Sequence, residues 1–463
     1  MARKFRTPDY EATLKESLRL EEILPANHLV RFVVDIISQL DLSRIYAGYA
    51  EQGGEAIAPE VLLAVLFYGY ATGLFSSRKL EKATYENVGV RYVAGGLHPD
   101  HDTIANFRKT FLGELQGLFV QILVLAKVSG VLHLGNLSLD GSKIHADASK
   151  SHAVSYKRLV ELESELQSEV AELFELGERA DQGEAQLPEG FVVQDEITLR
   201  QERLMKLAQA KAVLEARAKE RYATEQAEYE AKLRERETKA RHRHHTCPGG
   251  RCQGKPRGKT PKPPEAGPHD KDQYHFTDPE SRIMKNSTNE GFDQHYNAQV
   301  AVEQESMLIV ATSLSNPPND KQEAEPTLDA LAAELGHPEA AALDNGFFSE
   351  RNILALERRG IEPYIATGRQ PHHKDLNTLL GQLPDAPSAS ANPKEKMAYK
   401  LATEIGQAIY RLRKCTVEPI LGIIKEILGF RQFSLRGLWA VAGEWCLVCL
   451  AFNLKRLHIL MLG

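Results

Sequence analysis

The chain has 463 residues, more than one typical compact core accommodates, so several units are expected. Hydrophobic residues make up 42% and charged residues 26%, the ordinary globular range, which counts against a wholly disordered chain and against a membrane protein. With 57 Lys and Arg against 63 Asp and Glu the formal charge is −6, so a chain of evenly spread charge is no basic wrapper of nucleic acid.

Residues 1–8 are basic with no apolar run after them, so no secretory signal is expected. Cys247, Cys252, Cys415, Cys446 and Cys449 are an odd number in a large chain and fit a reducing cytoplasm better than a disulfide scaffold. From residue 18 to about 130 the pattern is helical, with Leu29, Val33, Val34, Ile37 and Leu40 at three- and four-residue spacing. A helix with Pro59 in its first turn covers 61–70, a further one lies within 76–92, and Asp102 and Thr103 are read as the cap of another over 104–111. Such a module is a helix-turn-helix DNA reader or a packing and dimerisation domain. Within it, His98 and His101 flank Pro99 and Asp100 and read as turn residues.

Residues 134–144, LGNLSLDGSKI, alternate apolar and polar and predict a strand with Asp140 near its end. Two charged helical segments follow, 151–180 and 193–243, the first with Leu159, Leu162, Leu166, Val170, Leu173 and Leu176 near heptad spacing. Glycines and Pro188 between them predict an antiparallel hairpin arm, either a solvated spacer or a dimerising or DNA-gripping device. Residues 241–268 form a loop with seven Lys or Arg, His242, His244, His245, Cys247 and Cys252, suited to phosphates or, less well by spacing, to zinc. Strands are predicted at 296–302, 308–313, a segment ending at Asp344, and 363–366, with helices at 323–335, 349–359 and from 394 onward. The order implies an α/β mixed sheet, antiparallel first and with helical crossovers later, interrupted by the arm. The apolar run 438–454 carries Glu444 and is read as a buried C-terminal helix, with Cys446 and Cys449 as core residues.

Two acids, Asp140 and Asp344, are placed at the ends of apolar strands with a glycine close behind, where a rigid element holds a side chain beside an open loop. Glu418 precedes Pro419, which predicts a helix start or bend there, and stands two helical turns before Lys425. Three converging carboxylates make an oxygen-rich site suited to magnesium or manganese, and two such ions serve phosphodiester chemistry. His145 and Asp147 lie just beyond Asp140 and are candidates for supporting it; Asp320 either lines the site or caps a helix. Between residues 394 and 436, nine Lys or Arg against four Glu predict a basic surface around Glu418.

The segments LSLDGSKI, YNAQVAV, NPPND at 316–320, ALDNGF at 342–347 and the stretch 410–425 together resemble insertion-sequence transposases of the DDE type. The resemblance covers most of the chain outside the 151–280 insertion. It implies an RNase H-like catalytic domain at 131–150 and 281–463 and an all-helical N-terminal DNA-binding or dimerisation domain at 1–130; the coiled-coil-like arm and basic Cys/His loop at 151–280 are then an insertion between the first two strands. It implies that Asp140, Asp344 and Glu418 are catalytic and hold two Mg2+ or Mn2+ ions. Tyr410, Lys425 and either Arg413 or Lys414 would touch DNA; Arg413 keeps the tyrosine spacing of the signature and Lys414 the glutamate spacing. The implied activity is cleavage at element ends and 3′-hydroxyl transfer into double-stranded target DNA by a homo-oligomer, in the cytoplasm at the nucleoid. The rival readings are an RNase H-like nuclease that does not join DNA and an inactive DNA-binding scaffold.

Overall fold

The structure, a computed structural model, describes residues 19–49, 56–245 (side chains to 238), 260–286, 291–368, 383, 385–388 and 390–462. Apolar periodicity in the first part yields α1 (Leu29–Ile37), α2 (Pro59–Ala71), α3 (Ser77–Glu86), α4 (Val88–Val93), α5 (His101–Thr110) and α6 (Leu115–Val128). Proline stands in the first turn of α2, where no N–H is missed. Asp100, rather than Asp102, caps α5 by accepting from the Thr103 N–H at 2.6 Å, so the helix opens three residues before its predicted start. His101 Nδ1 meets Glu81 at 2.8 Å and His98 Nδ1 meets Thr84 at 3.0 Å, so both histidines tie this turn to α3.

Then comes β1 (Asn136–His145), which buries Leu137 and Leu139 on one face and turns Ser138 and Asp140 to the other. Residues 148–279 form a compact unit of their own. In it β2 (Ala153–Ser155) leads into α7 (Tyr156–Asp181), α8 (Val193–His245) runs back, and β3 (Gln273–His275) pairs antiparallel with β2. Val154, Leu159, Leu207, Ala210 and Leu214 pack along the hairpin seam. Arg200 to Glu169 at 2.7 Å and Lys211 to Glu163 at 2.6 Å bridge α7 and α8, and Arg221 reaches Asp272 at 2.9 Å. Of the possible zinc ligands, Cys247 and Cys252 and the side chains of His242, His244 and His245 lie outside the described residues.

The other unit continues with β4 (Arg282–Lys285), β5 (Phe292–Glu303), β6 (Ile309–Ser315), α9 (Ala324–Asp329), β7 (Ala340–Leu343), α10 (Glu350–Arg358) and β8 (Glu362–Ile365). It ends with α11 (Pro393–Ala402), α12 (Glu404–Gly422) and α13 (Leu438–Leu462). The sheet is mixed: β1 pairs antiparallel with β5 and parallel with β7, β8 extends the parallel side, and β4 and β6 both pair antiparallel with β5. β4 escapes the sequence reading because its four residues, RIMK, carry no clear alternation. The predicted helix 323–335 is shorter, breaking after Asp329 into a 3-10 turn at Ala333–Leu335.

α13 is long and apolar enough to span a bilayer by length and composition, but 61% of its apolar window is buried inside the protein, against α2, α6 and β6. Through it the N-terminal helices and the sheet form one compact unit rather than two, because one helix supplies core to both. Cys446 and Cys449 are buried in it, and burial pushes the Cys446 thiol up to about 12. Glu444 is fully buried there. Its carboxylate accepts the Ser434 N–H at 2.9 Å, the Leu435 N–H at 3.0 Å, the Ser434 hydroxyl and, at 3.4 Å, the Tyr70 hydroxyl. Arg108 donates to that same Tyr70 oxygen at 2.6 Å.

Two outcomes follow for stability. Glu444→Ala strands four donors in the core and lowers stability by about 3 kcal/mol in urea unfolding, whereas Glu444→Gln costs less; equal, negligible losses contradict the network. On β5, His295 is buried beside His145, and burial pulls its pKa down to about 4. The unfolded chain therefore takes up a proton near pH 6.5 that the folded His295 refuses, so stability falls as pH drops from 6.5 toward 4. The urea midpoint of His295→Asn is expected to depend less on pH over that window than that of the wild type.

Candidate active site

The site is built on the face of β1 that carries Ser138 and Asp140, and α12 lies across it. The Thr416 hydroxyl donates to Ser138 Oγ at 2.9 Å, while the Gln304 amide donates to Ser138 Oγ at 3.0 Å and to the Ile409 carbonyl at 3.2 Å. These buried polar contacts fix α12 along and across the strand. Its start is set at Gly406, where a Cβ would stand 2.1 Å from the Lys400 carbonyl, so only glycine lets α12 leave α11 at this angle.

Asp140 is not at a strand end: it is the fifth residue of ten, and pairing with β5 continues to His145. What ends beside it is the parallel neighbour. Leu139 pairs with Leu343, the last residue of β7, so Asp140 and Asp344 are the next residues on two adjacent strands. Asp344 then leads a 3-10 turn, Asn345–Phe347, whose Phe347 is buried. Glu418 is likewise not at a helix start. α12 runs through Pro419 to Gly422 and passes into a π turn, Ile423–Ile427.

One guanidinium meets all three acids. Arg413 Nη1 lies 3.0 Å from Asp140 Oδ2, and Nη2 lies 2.8 Å from Glu418 Oε1 and 3.7 Å from Asp344 Oδ1. The Arg413 side chain is only 5% exposed, against 21% for Asp140, 49% for Asp344 and 48% for Glu418. Burial raises the Asp140 carboxyl to about 6, with Arg413 and the Gly141 N–H, 2.9 Å away, opposing that rise and nearby Asp344 adding to it. Tyr410 packs against Ala342 and Ala366, its ring 5.7 Å from the Arg413 guanidinium carbon, and burial raises its phenol.

The donor chemistry, three carboxylates drawn onto a cation, fits magnesium or manganese better than a softer metal. The metal cluster expected from the sequence is not assembled in ligand geometry: among the described residues no three His, Cys, Asp or Glu side chains are grouped to hold an ion. The three carboxylates are arranged around the Arg413 guanidinium, whose charge offsets their mutual repulsion.

The expected DNA contacts divide. Arg413, not Lys414, faces the acids, and Lys414 is exposed on the neighbouring helix face. Lys425 turns toward β1 and donates to the Lys143 carbonyl at 2.9 Å, its pKa lowered by burial. The basic surface around Glu418 is also more neutral than its composition: Arg431 pairs with Glu426, Arg436 with Asp147 at 2.8 Å, and Lys400 with Glu362. Asp147 is thus engaged away from the acids, and the His145 ring packs at a tilt on His295, centroids 4.2 Å apart.

Sequence reasoning left the role of Asp320 open. Its Oδ1 accepts from the Asn297 and Gln299 amides, both at 2.8 Å. Gln299 lies against Gly141, where a Cβ would come within 2.1 Å of its amide, and Asp320 Oδ2 lies 3.3 Å from the Cβ position of Gly346. This polar cluster therefore packs against the glycines that follow both aspartates. The signal was present as polar residues, Asn297 and Gln299, in the otherwise apolar stretch 296–302 of β5.

A family model described as a transposase domain of unknown function, DUF772, matches residues 18–110, the N-terminal helices. A second, the transposase DDE domain, matches residues 386–458, which includes Arg413 and Glu418 but neither Asp140 nor Asp344. No curated protein and no solved structure matches the chain. Transposase models thus match near both ends of the chain, and together they support a DDE-type insertion-sequence transposase.

Proposed function

We propose that this transposase cleaves DNA at the ends of its element and transfers the freed 3′-hydroxyl into target DNA, using Asp140, Asp344 and Glu418 on an RNase H-like catalytic domain. The observation that carries the reading is the convergence of three acids from β1, the end of β7 and α12 on one cation. The strand pattern, with β5, β1, β7 and β8 in that order, supports the RNase H-like assignment.

In this reading the three carboxylates hold one or two magnesium or manganese ions, which when bound activate water or a 3′-hydroxyl and stabilise the leaving oxygen. Asp140 is the fixed member, held by pairing with Val300 of β5 and by the Gly141 N–H. Asp344 and Glu418 are half exposed and face the substrate side, where they can adjust to a phosphodiester. Lys414, exposed on α12 next to Arg413, is the basic residue assigned to a DNA phosphate. Tyr410 acts through Arg413, by packing beneath it, and not through DNA. Double-stranded DNA is the partner, and a homo-oligomer of at least two subunits joins two ends.

Alanine at Asp140, Asp344 or Glu418 is expected to cut cleavage and strand transfer by about a thousandfold or more while gel-shift binding to element ends persists. Retained cleavage in any of the three contradicts the assignment. Precleaved ends offered to the wild type separate a transposase, which yields joined product, from a nuclease, which yields none. Asp140→Asn adds a check on electrostatics. A buried acid with its pKa raised is destabilising at neutral pH, so the neutral isostere is expected to gain about 1 kcal/mol or more in metal-free unfolding as it loses activity.

A further inference from the structure

We propose that Arg413 is the internal counter-cation of this site: it holds Asp140 and Glu418 before divalent ions load, and loading requires it to release them. The inference rests on the reading of the three acids as metal ligands and concerns a different residue and a different step. It makes Arg413 a positioning residue that sets metal affinity, not a reader of DNA.

Four observations carry it. The guanidinium stands among all three carboxylates and contacts two of them at 2.8 to 3.0 Å, the place where positive charge is most needed. Its side chain is 5% exposed, so a DNA phosphate does not reach it without displacing the acids. Its Nε–H is buried and has no hydrogen-bond partner among the described residues, so no acceptor holds that edge of the guanidinium, and the Tyr410 side chain lies against it. Finally, α12 is pinned to β1 independently, through Thr416, Ser138 and Gln304, so the helix stays in place when the guanidinium leaves the acids. An arginine keeps its proton throughout, so its charge opposes an incoming divalent ion at every pH the protein tolerates.

The consequence is a competition. With Arg413 in place the four charges sum to −2; without it they sum to −3, and a divalent ion meets both a stronger field and unoccupied carboxylate oxygens. Titration calorimetry of Mn2+ into the full-length chain without DNA reads this directly. Arg413→Gln is expected to bind Mn2+ about tenfold or more tightly than wild type, and Arg413→Met, similar in bulk and equally uncharged, to do the same should the glutamine variant fold poorly. Arg413→Lys, which keeps the charge, stays near wild type. Metal-free Arg413→Gln melts lower than wild type and regains more on adding Mn2+. Unchanged or weaker binding in both uncharged variants, with wild type binding normally, overturns the counter-cation role. Absence of Mn2+ binding in wild type and variants alike overturns the metal reading of the acids, and this inference with it.

Discussion

Three carboxylates repel, and a buried guanidinium stands between them to offset that repulsion. Each acid arrives by a different route. Asp140 comes on the central strand, Asp344 on the turn after its parallel neighbour, and Glu418 on a helix laid across that strand. Arg413 reaches them from the same helix as Glu418, so the position of α12 on β1 governs the whole arrangement. That position is set by small polar contacts, Thr416 to Ser138 to Gln304, and by Gly406, whose missing Cβ lets α12 start against the end of α11.

The rest of the unit supports this from behind. α13 packs on the N-terminal helices and on β6, and its Trp445 donates to the Gln299 carbonyl on β5 at 3.1 Å. Gln299 in turn shares Asp320 with Asn297 beneath Gly141. The chain of contacts from the C-terminal helix through β5 to the aspartate-bearing strand is continuous. A residue far from the acids, such as Glu444, therefore bears on the platform that positions them.

Much of this was legible in the sequence, in places where local physics decides. Alternation in LSLDGSKI marked β1, the apolar segment before Asp344 marked β7, and heptad-spaced leucines marked the arm hairpin. Misreadings arose where tertiary context overrode a local rule. Asp140 followed by glycine reads as a strand end, but pairing with β5 carries the strand five residues further. Pro419 reads as a helix start or bend, and of these the start is excluded, because α12 runs through it into a π turn. Composition overstated the basic surface, because Lys425 and three neighbouring cations turn to carbonyls and carboxylates of this chain, contacts that no count of charges reveals. The spacing ambiguity between Arg413 and Lys414 was beyond sequence reasoning for a related reason. Only burial decides which of two adjacent cations on a helix faces the sheet.

The most direct measurement of the central claim is anomalous diffraction from crystals of this chain soaked in Mn2+. The predicted result is a manganese peak bounded by the carboxylates of Asp140, Asp344 and Glu418, with the Arg413 guanidinium moved off them. A peak elsewhere, or no peak with Arg413 still seated among the three acids at saturating Mn2+, would contradict it.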